Sequence, residues 1–431
     1  MKKYHLVALA LVASFGLSAA IAQSIQVPQV TSIGPNDLFQ DVVGGQPQAQ
    51  SYYASAALLG NYSATLGNNN PTNFLIGGDS TSNLYQRGTT GSSVTTTLTY
   101  GGPDRWAYWS GTSTAMTVSQ TTTAADLPSG LNFRSGFKMA RTSGQTGVVQ
   151  MCMMQVVESA NAYALSGQTA EIDFHATAGA NFSAAASAMT AYLITGTGAD
   201  QAANTAAFNL NAGGGGSSLW TGQVNTGVVV TLNTANNRYT VAIPAPSGIT
   251  EAAVALCYTP VGTAGTNDYI AFSGIQLTTN SALTALAGTA GVALPANDTR
   301  AKSFSRRLQQ QETALQQRYY YQITESASAA TMRGSCVNLT SSIANCIVPF
   351  PVSMRIVPTV TYATGFGIAV AAQTSMAACS ANATSTTATS VASTLSVLMS
   401  CATSAAGGTL GLATTWGDAG GTGTIKASAE L

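Results

Sequence analysis

From Asn73 onward, apolar and polar residues alternate in short runs such as "SVTTTLTYG", "RWAYWSG", "TAEIDFHATA", "AMTAYLITG", "RYTVAIPAP", "EAAVALCYTP" and "DYIAFSGIQL". Clusters of Gly, Asn and Ser separate them. A period of two sends alternate side chains to opposite faces, so each run predicts a strand with one face in a core. Many such strands at roughly 8 to 20 residue spacing predict an antiparallel sandwich or jelly roll. A second series, including "NCIVPFPV", "PTVTYATG" and "STLSVLMSC", fills residues 328–431. The Ser/Thr/Ala run from Asn382 to Ser393 is low in complexity and reads as a loop.

Between the two series stands "FSRRLQQQETALQQRYYYQI", Phe304 to Ile323, which has no glycine and clusters charge. Leu308, Leu315 and Tyr319 are spaced i, i+7 and i+11, which puts them on one face of a helix of about three to four turns. That face needs a partner, and the three residues are expected to pack between the β domains on either side. The predicted fold class is therefore all-β: a jelly-roll β-sandwich over 73–303, a short connecting helix over 304–323 and a small C-terminal β domain over 324–431. Residues 23–72 carry turn signals at Gly34-Pro35-Asn36-Asp37 and Gly44-Gly45 and read as an N-terminal adaptor segment.

The first 22 residues, "MKKYHLVALALVASFGLSAAIA", follow the pattern of a secretory signal peptide: two lysines, an apolar run, then small residues suited to cleavage before Gln23. A retained anchor is the alternative, although the run is short for a membrane span. No later segment has the length and apolarity of a membrane helix, so no stable membrane insertion is expected after the signal is removed. An exported chain meets an oxidising compartment, where its six cysteines can pair. Fifteen connectivities exist, and order along the chain favours Cys152 with Cys257, Cys336 with Cys346, and Cys379 with Cys401. Free buried thiols are the other reading.

Composition narrows the function. Lys plus Arg and Asp plus Glu number 16 each, so the formal net charge is zero, and only 7% of residues are charged. Such a chain has no long-range field to gather nucleic acid, and no nucleic-acid partner is expected. The 45% hydrophobic content separates it from disordered sequences.

Catalytic motifs are absent. The chain has two histidines, and His5 lies in the signal, so a Ser-His-Asp or Cys-His enzyme would have to use His175. No GxSxG, HExxH, GxxxxGK[ST] or CxxC motif occurs, and no cofactor or metal is expected. The one compact polar constellation is "EIDFH", where Glu171, Asp173 and His175 share one face of a strand while Ile172 and Phe174 enter the core. That face either binds sugar hydroxyls or a divalent cation, performs acid–base work, or is simply solvated. "GGPDRWAYWSG" supplies Trp106, Tyr108 and Trp109, and Trp220 stands alone. Aromatic faces stack on pyranose rings, which makes Tyr108 and Trp220 candidate ligand platforms, against the alternative that they are core.

Taken in order, "NFLIGGDSTSNLYQRGTT", "GPDRWAYWSG", "AEIDFHATAGANFS", "NDYIAFSGIQL" and "QRYYYQ" resemble the carbohydrate-binding-like jelly-roll module of bacteriophage tail fibre and other virion structural proteins. The likeness runs from about Asn73 to Ile323. It continues in "PFPVSMRIVPTVTY", Pro349 to Tyr362, and in the closing Ala429-Glu430-Leu431. The resemblance implies a galactose-binding-type sandwich in a non-catalytic, oligomeric component that binds glycan and neighbouring assembly proteins. In that family the position of His175 is often aromatic and that of Asp173 small and polar, and a signal peptide is not expected of a virion part. Two readings follow: a structural and adhesive component of a phage-tail-like assembly, or an exported bacterial cell-surface or matrix protein built from the same modules. A hydrolase using Glu171 or Asp173 is a third.

Overall fold

In a computed structural model of the chain, residues 38–41, 52–55, 73–203, 220–378 and 392–430 are described, apart from short gaps within the last three ranges. The expected signal peptide, Cys379 and the side chain of Cys401 lie outside the described residues. Contacts divide the chain into two compact units, residues 1–70 and 71–431. In the first, β1 (Leu38–Asp41) and β2 (Tyr52–Ser55) form an antiparallel pair with Leu38 opposite Ser55.

The second unit opens with β3 (Ser92–Val94), β4 (Thr99–Tyr100), β5 (Ala107–Ser110), β6 (Met116–Thr121), β7 (Gly136–Arg141), β8 (Met151–Val157) and β9 (Thr169–Ala178). Then come β10 (Ala188–Gly196), β11 (Val224–Thr231), β12 (Asn237–Pro244), β13 (Glu251–Tyr258), β14 (Tyr269–Thr279) and β15 (Val292–Ala293). They make a six-stranded sheet, β11-β10-β13-β8-β5-β4, and a seven-stranded sheet, β15-β12-β9-β14-β7-β6-β3. The chain crosses from one sheet to the other at every step from β3 to β15 except β4 to β5, β6 to β7, β10 to β11 and β14 to β15. This is the antiparallel, crossing arrangement of a jelly-roll sandwich. Ile172, Phe174 and Ala176 of β9 point between the sheets and meet Trp106, Tyr108, Phe137, Leu256 and Phe272 in one core.

The C-terminal strands are β16 (Tyr320–Thr324), β17 (Met332–Asn338), β18 (Ile343–Pro349), β19 (Thr359–Tyr362), β20 (Phe366–Val370), β21 (Ala377–Ala378), β22 (Ser396–Ala402), β23 (Ala413–Asp418) and β24 (Thr424–Ser428). They form a three-stranded sheet, β16-β24-β19, and a six-stranded one, β21-β20-β23-β17-β18-β22. A separate small core of Ile323, Val348, Phe350, Val360 and Ile425 fills this region.

Two disulfides form as expected from chain order. Cys152 and Cys257 face each other across β8 and β13, and Cys336 and Cys346 face each other across β17 and β18. On the chain-entropy relation, spans of 105 and 10 residues correspond to about 4 to 5 and about 3 kcal/mol.

The connecting helix differs from its expectation. It is α1 (Gln309–Gln317), shorter than 304–323, and the tyrosines leave it to start β16. Leu308 is not on its buried face; it has extended backbone at the N-terminal cap and is 66% exposed. The side chains that α1 buries are polar: Glu312 and Gln316, one turn apart. Glu312 Oε1 accepts the Gly77 N–H, Gln316 Oε1 accepts the Leu84 N–H at 2.8 Å, and Arg307 pairs with Glu312 at 3.0 Å. The helix thus saturates backbone donors of the loop before β3. Leu315 and Tyr319 pack against the outer face of the six-stranded sheet, beside Trp109, Trp220 and the Cys152–Cys257 bond, in a cluster that contains no described residue of the C-terminal strands.

Charge fixes the junction between sandwich and C-terminal strands. Glu430 receives Arg105 at 2.5 Å and Arg87 at 3.0 Å, and Arg87 also reaches Asp104 at 3.3 Å. The same two guanidiniums lie over the rings of Tyr319 and Tyr320, each 3.5 Å from the centroid. Backbone bonds run alongside, from Ala429 N to Tyr319 O at 2.7 Å and from Arg355 N to Arg318 O at 2.9 Å.

Breaking a buried ion pair by removing one partner strands the other charge. Replacing Glu430 with Gln leaves the Arg105 guanidinium, 2% exposed, without its carboxylate. The expected loss is about 3 to 5 kcal/mol in denaturant unfolding; a change below about 0.5 kcal/mol would show that the junction does not need the charge. On α1, Glu312→Leu should cost about 1 to 3 kcal/mol by orphaning the Gly77 N–H, and Leu308→Ser should stay within about 0.5 kcal/mol. The reverse order would restore the apolar-face reading of the helix.

Candidate functional site

The outer face of the seven-stranded sheet carries the polar constellation. Register aligns it in rows across β12, β9 and β14: Arg238, His175 and Ser273; Thr240, Asp173 and Gln276; Ala242, Glu171 and Thr278. As the strand alternation requires, Glu171, Asp173 and His175 share this face. They are not solvated, however: Glu171 and Asp173 are fully buried and His175 is 7% exposed.

The reason is a strap formed by residues 300–306, which runs across the two lower rows. Glu171 accepts the Lys302 N–H at 2.7 Å and the Asn280 amide at 2.5 Å, and Asn280 also holds the Arg300 carbonyl at 2.8 Å. Gln276 donates to the carbonyls of Lys302 and Ser303 at 3.1 and 3.2 Å and accepts from Ser305 N at 3.0 Å. Asp173 Oδ2 accepts from Arg238 Nε and Thr240 Oγ1, both at 2.6 Å, and Arg238 donates on to the Lys302 carbonyl. Burial raises the Glu171 carboxyl above its ordinary range despite these donors. Burial also pushes Asp173 up to about 7, with Arg238 opposing. Glu171 therefore ties down the strap directly, and Asp173 holds Arg238, which in turn donates to it.

The strap leaves the His175 row open. There a cleft of about 590 Å³ is lined by Phe133, His175, Asn236, Asn237, Arg238, Phe304 and Arg306, with Pro128, Ser129, Leu131 and Ser303 around them. Phe133 is its centre: its ring lies 5.5 Å from Phe304 and 6.2 Å from His175, and the Arg306 guanidinium sits over it at 4.9 Å. A bulge in β14 makes room for that ring. The register shifts between Ser273 and Gln276, and Gly274 has a φ of +59°; a Cβ there would stand 2.7 Å from Phe133 Cζ.

Polar atoms border the aromatic surface. His175 and Asn236 interact through their side chains at its edge, and the Asn236 amide donates to the Asp126 carbonyl at 2.9 Å, which fixes its orientation. Burial and then Arg238 lower the His175 imidazole to about 4, so the ring is neutral near pH 7. A second hollow, of about 1070 Å³, shares Phe133 and Arg306 with the first and extends past Arg134, Gln120 and Arg307.

The expected aromatic platforms are elsewhere. Tyr108 is fully buried between the sheets. Trp220 is 1% exposed, packs on the outer face of the other sheet and donates to the Ala202 carbonyl at 3.1 Å. His175 alone of the sequence candidates reaches the cleft. Phe133, Asn236, Arg238, Phe304 and Arg306 were not singled out as ligand residues; the amide-and-arginine run "NNRY" was the available signal. Among the described residues, no group of three acidic, His or Cys side chains is placed to hold a metal ion. No helix there is long and apolar enough to cross a membrane.

No protein-family model matches the chain. A search of curated proteins also finds no match. Among solved structures it is similar to the enzymatically active domain of tailspike protein 4 of bacteriophage CBA120, at 14% identity over 48% of this chain and 21% of that one, with a TM-score of 0.27. It is similar to carbohydrate-binding modules of the β-sandwich superfamily at 10% identity, covering 40% of this chain and 57% of the other, with a TM-score of 0.28. A family 30 carbohydrate-binding module aligns at 10% identity, over 44% and 83% of the two chains, with a TM-score of 0.23.

Proposed function

We propose that the chain is a non-catalytic, glycan-binding adhesive protein, a structural component of a phage-tail-like assembly that holds saccharide weakly through many copies. The observation that carries this reading is the cleft at Phe133. It joins two tilted phenyl rings to a neutral imidazole, two side-chain amides and guanidinium donors on a rigid sheet face. Apolar C–H faces of a pyranose suit the rings, and its hydroxyls suit the fixed donors and acceptors around them.

Glycoside hydrolysis would need two carboxyl groups flanking the scissile bond. Among the described residues no Asp or Glu lines this cleft, and Glu171 and Asp173 are engaged by the Lys302 N–H and the Arg238 guanidinium. A bacterial surface or matrix protein built on the same fold is the second reading. It is favoured by the two cross-strand disulfides, which form and persist in oxidising compartments.

A glycan array probed with the full chain is expected to give saccharide-dependent binding, and Phe304→Ala should weaken the best ligand at least about tenfold while the melting temperature moves by only a few degrees. Binding on a par with wild type by the variant would place the ligand elsewhere. Because the imidazole titrates near pH 4, His175 stays neutral from about pH 6 to pH 8, and a midpoint in affinity inside that window should belong to Asp173, which is pushed up to about 7 behind Arg238. Asp173→Asn should remove such a midpoint, and its survival in that variant would assign it to another group.

A further inference from the structure

Charged side chains are scarce in this chain, yet the groove formed by the two hollows that meet at Phe133 and Arg306 gathers Arg134, Arg238, Arg306 and Arg307. Asp79 is the one acidic side chain lining it among the described residues. Resting on the glycan-binding reading of the same cleft, we infer that its ligand is an acidic glycan, with a sugar carboxylate received by the guanidiniums of Arg306, Arg238 and Arg134.

The hydrogen-bond inventory of each arginine supports this. Arg307 is spent on the protein, donating to the carbonyls of Asn73 and Leu75 and to Glu312. Arg306 uses Nε on Asp79 at 2.6 Å and keeps both terminal nitrogens, with 40% of its side chain exposed. Arg238 gives Nε to Asp173 and Nη2 to the Lys302 carbonyl, which leaves Nη1. Arg134 lies at the groove through an exposed side chain that makes no ion pair. Counting the carboxylates behind them, Asp79, Asp173 and Glu312 balance three of the four arginines, and the charge of Arg134 is left over.

A planar carboxylate fits the paired N–H groups of a guanidinium, and such charge-assisted bonds are about twice as strong as neutral ones. Asp79 and Asp173 fix Arg306 and Arg238 through Nε, so their free nitrogens are already oriented before ligand arrives. Beside them, His175 and Asn236 line the same cleft and carry the nitrogen and oxygen atoms that suit a ring hydroxyl. Phe304, half-buried against Phe133, offers its ring to the apolar side of the same sugar.

The test is isothermal titration of the full chain with matched saccharide pairs, at about 50 mM and about 500 mM salt. The pairs are a galacturonate tetramer with its carboxyl-reduced form, a mannuronate tetramer with mannotetraose, and sialyllactose with lactose. The acidic member of at least one pair should bind about tenfold tighter at low salt, and that margin should shrink at high salt. The double variant Arg134→Gln/Arg306→Gln should abolish the margin. Should it unfold because Asp79 loses its partner, Arg134→Gln alone, at an exposed and unpaired side chain, should reduce the margin about threefold. A neutral member that binds as tightly as its acidic partner overturns the inference and leaves the glycan reading standing. Absence of binding in every pair and on the array overturns both.

Discussion

A carboxylate on a sheet face must be solvated by water or by protein, and in this molecule that constraint decides where the surface can work. Glu171 and Asp173 lie on the outer side of β9, an interior strand of the seven-stranded sheet, where burial would be prohibitive without donors. The strap at 300–306 supplies the Lys302 N–H to Glu171 and accepts from the Arg238 guanidinium that serves Asp173, so carboxylates and strap support each other. Because those ties occupy two of the three cross-strand rows, the third, at His175, becomes the floor of the cleft. The β14 bulge then lets Phe133 fold over it.

The strap also leads directly into α1, so the same segment links the site to the junction. Arg306 faces the cleft and Arg307 faces the loop before β3, while Glu312 and Gln316 hold that loop by its backbone. A few residues later, Tyr319 and Tyr320 lie under the guanidiniums that meet at Glu430. The site, the helix and the C-terminal strands are thus consecutive parts of one network of charge-assisted bonds. Its specificity of geometry is what a sandwich made mostly of small residues otherwise lacks.

The all-β jelly-roll fold was legible in the alternation because Ile172 and Phe174 are apolar at period two between polar neighbours. The two disulfides were legible from order because neighbours in the cysteine order, one pair 105 residues apart and the other 10, lie opposite each other in paired strands. The burial of Glu171 and Asp173 was not legible: alternation states which face a side chain takes, never whether another segment lies on it. The helix misled for a related reason. Its apolar spacing ran from Leu308 to Tyr319, but Leu308 precedes the first turn and Tyr319 follows the last, and the face that packs is polar. Phe133 escaped notice because its partners, Gly274, Phe304 and Arg306, are distant in sequence and converge only through the bulge and the strap.

The placement of charge completes the physical picture. A soluble domain ordinarily carries its charges outside, yet Asp79, Asp104, Asp126, Glu171, Asp173, Glu251, Asp268 and Glu312 are all buried here. Hydroxyls and amides cover much of the exterior, so the charges are largely structural and the outer field is weak. On such a surface a guanidinium group with free N–H groups dominates its surroundings over about one Debye length, because few neighbouring charges oppose it. With so weak an outer field, any binding at the groove would depend on contact geometry and little on long-range steering.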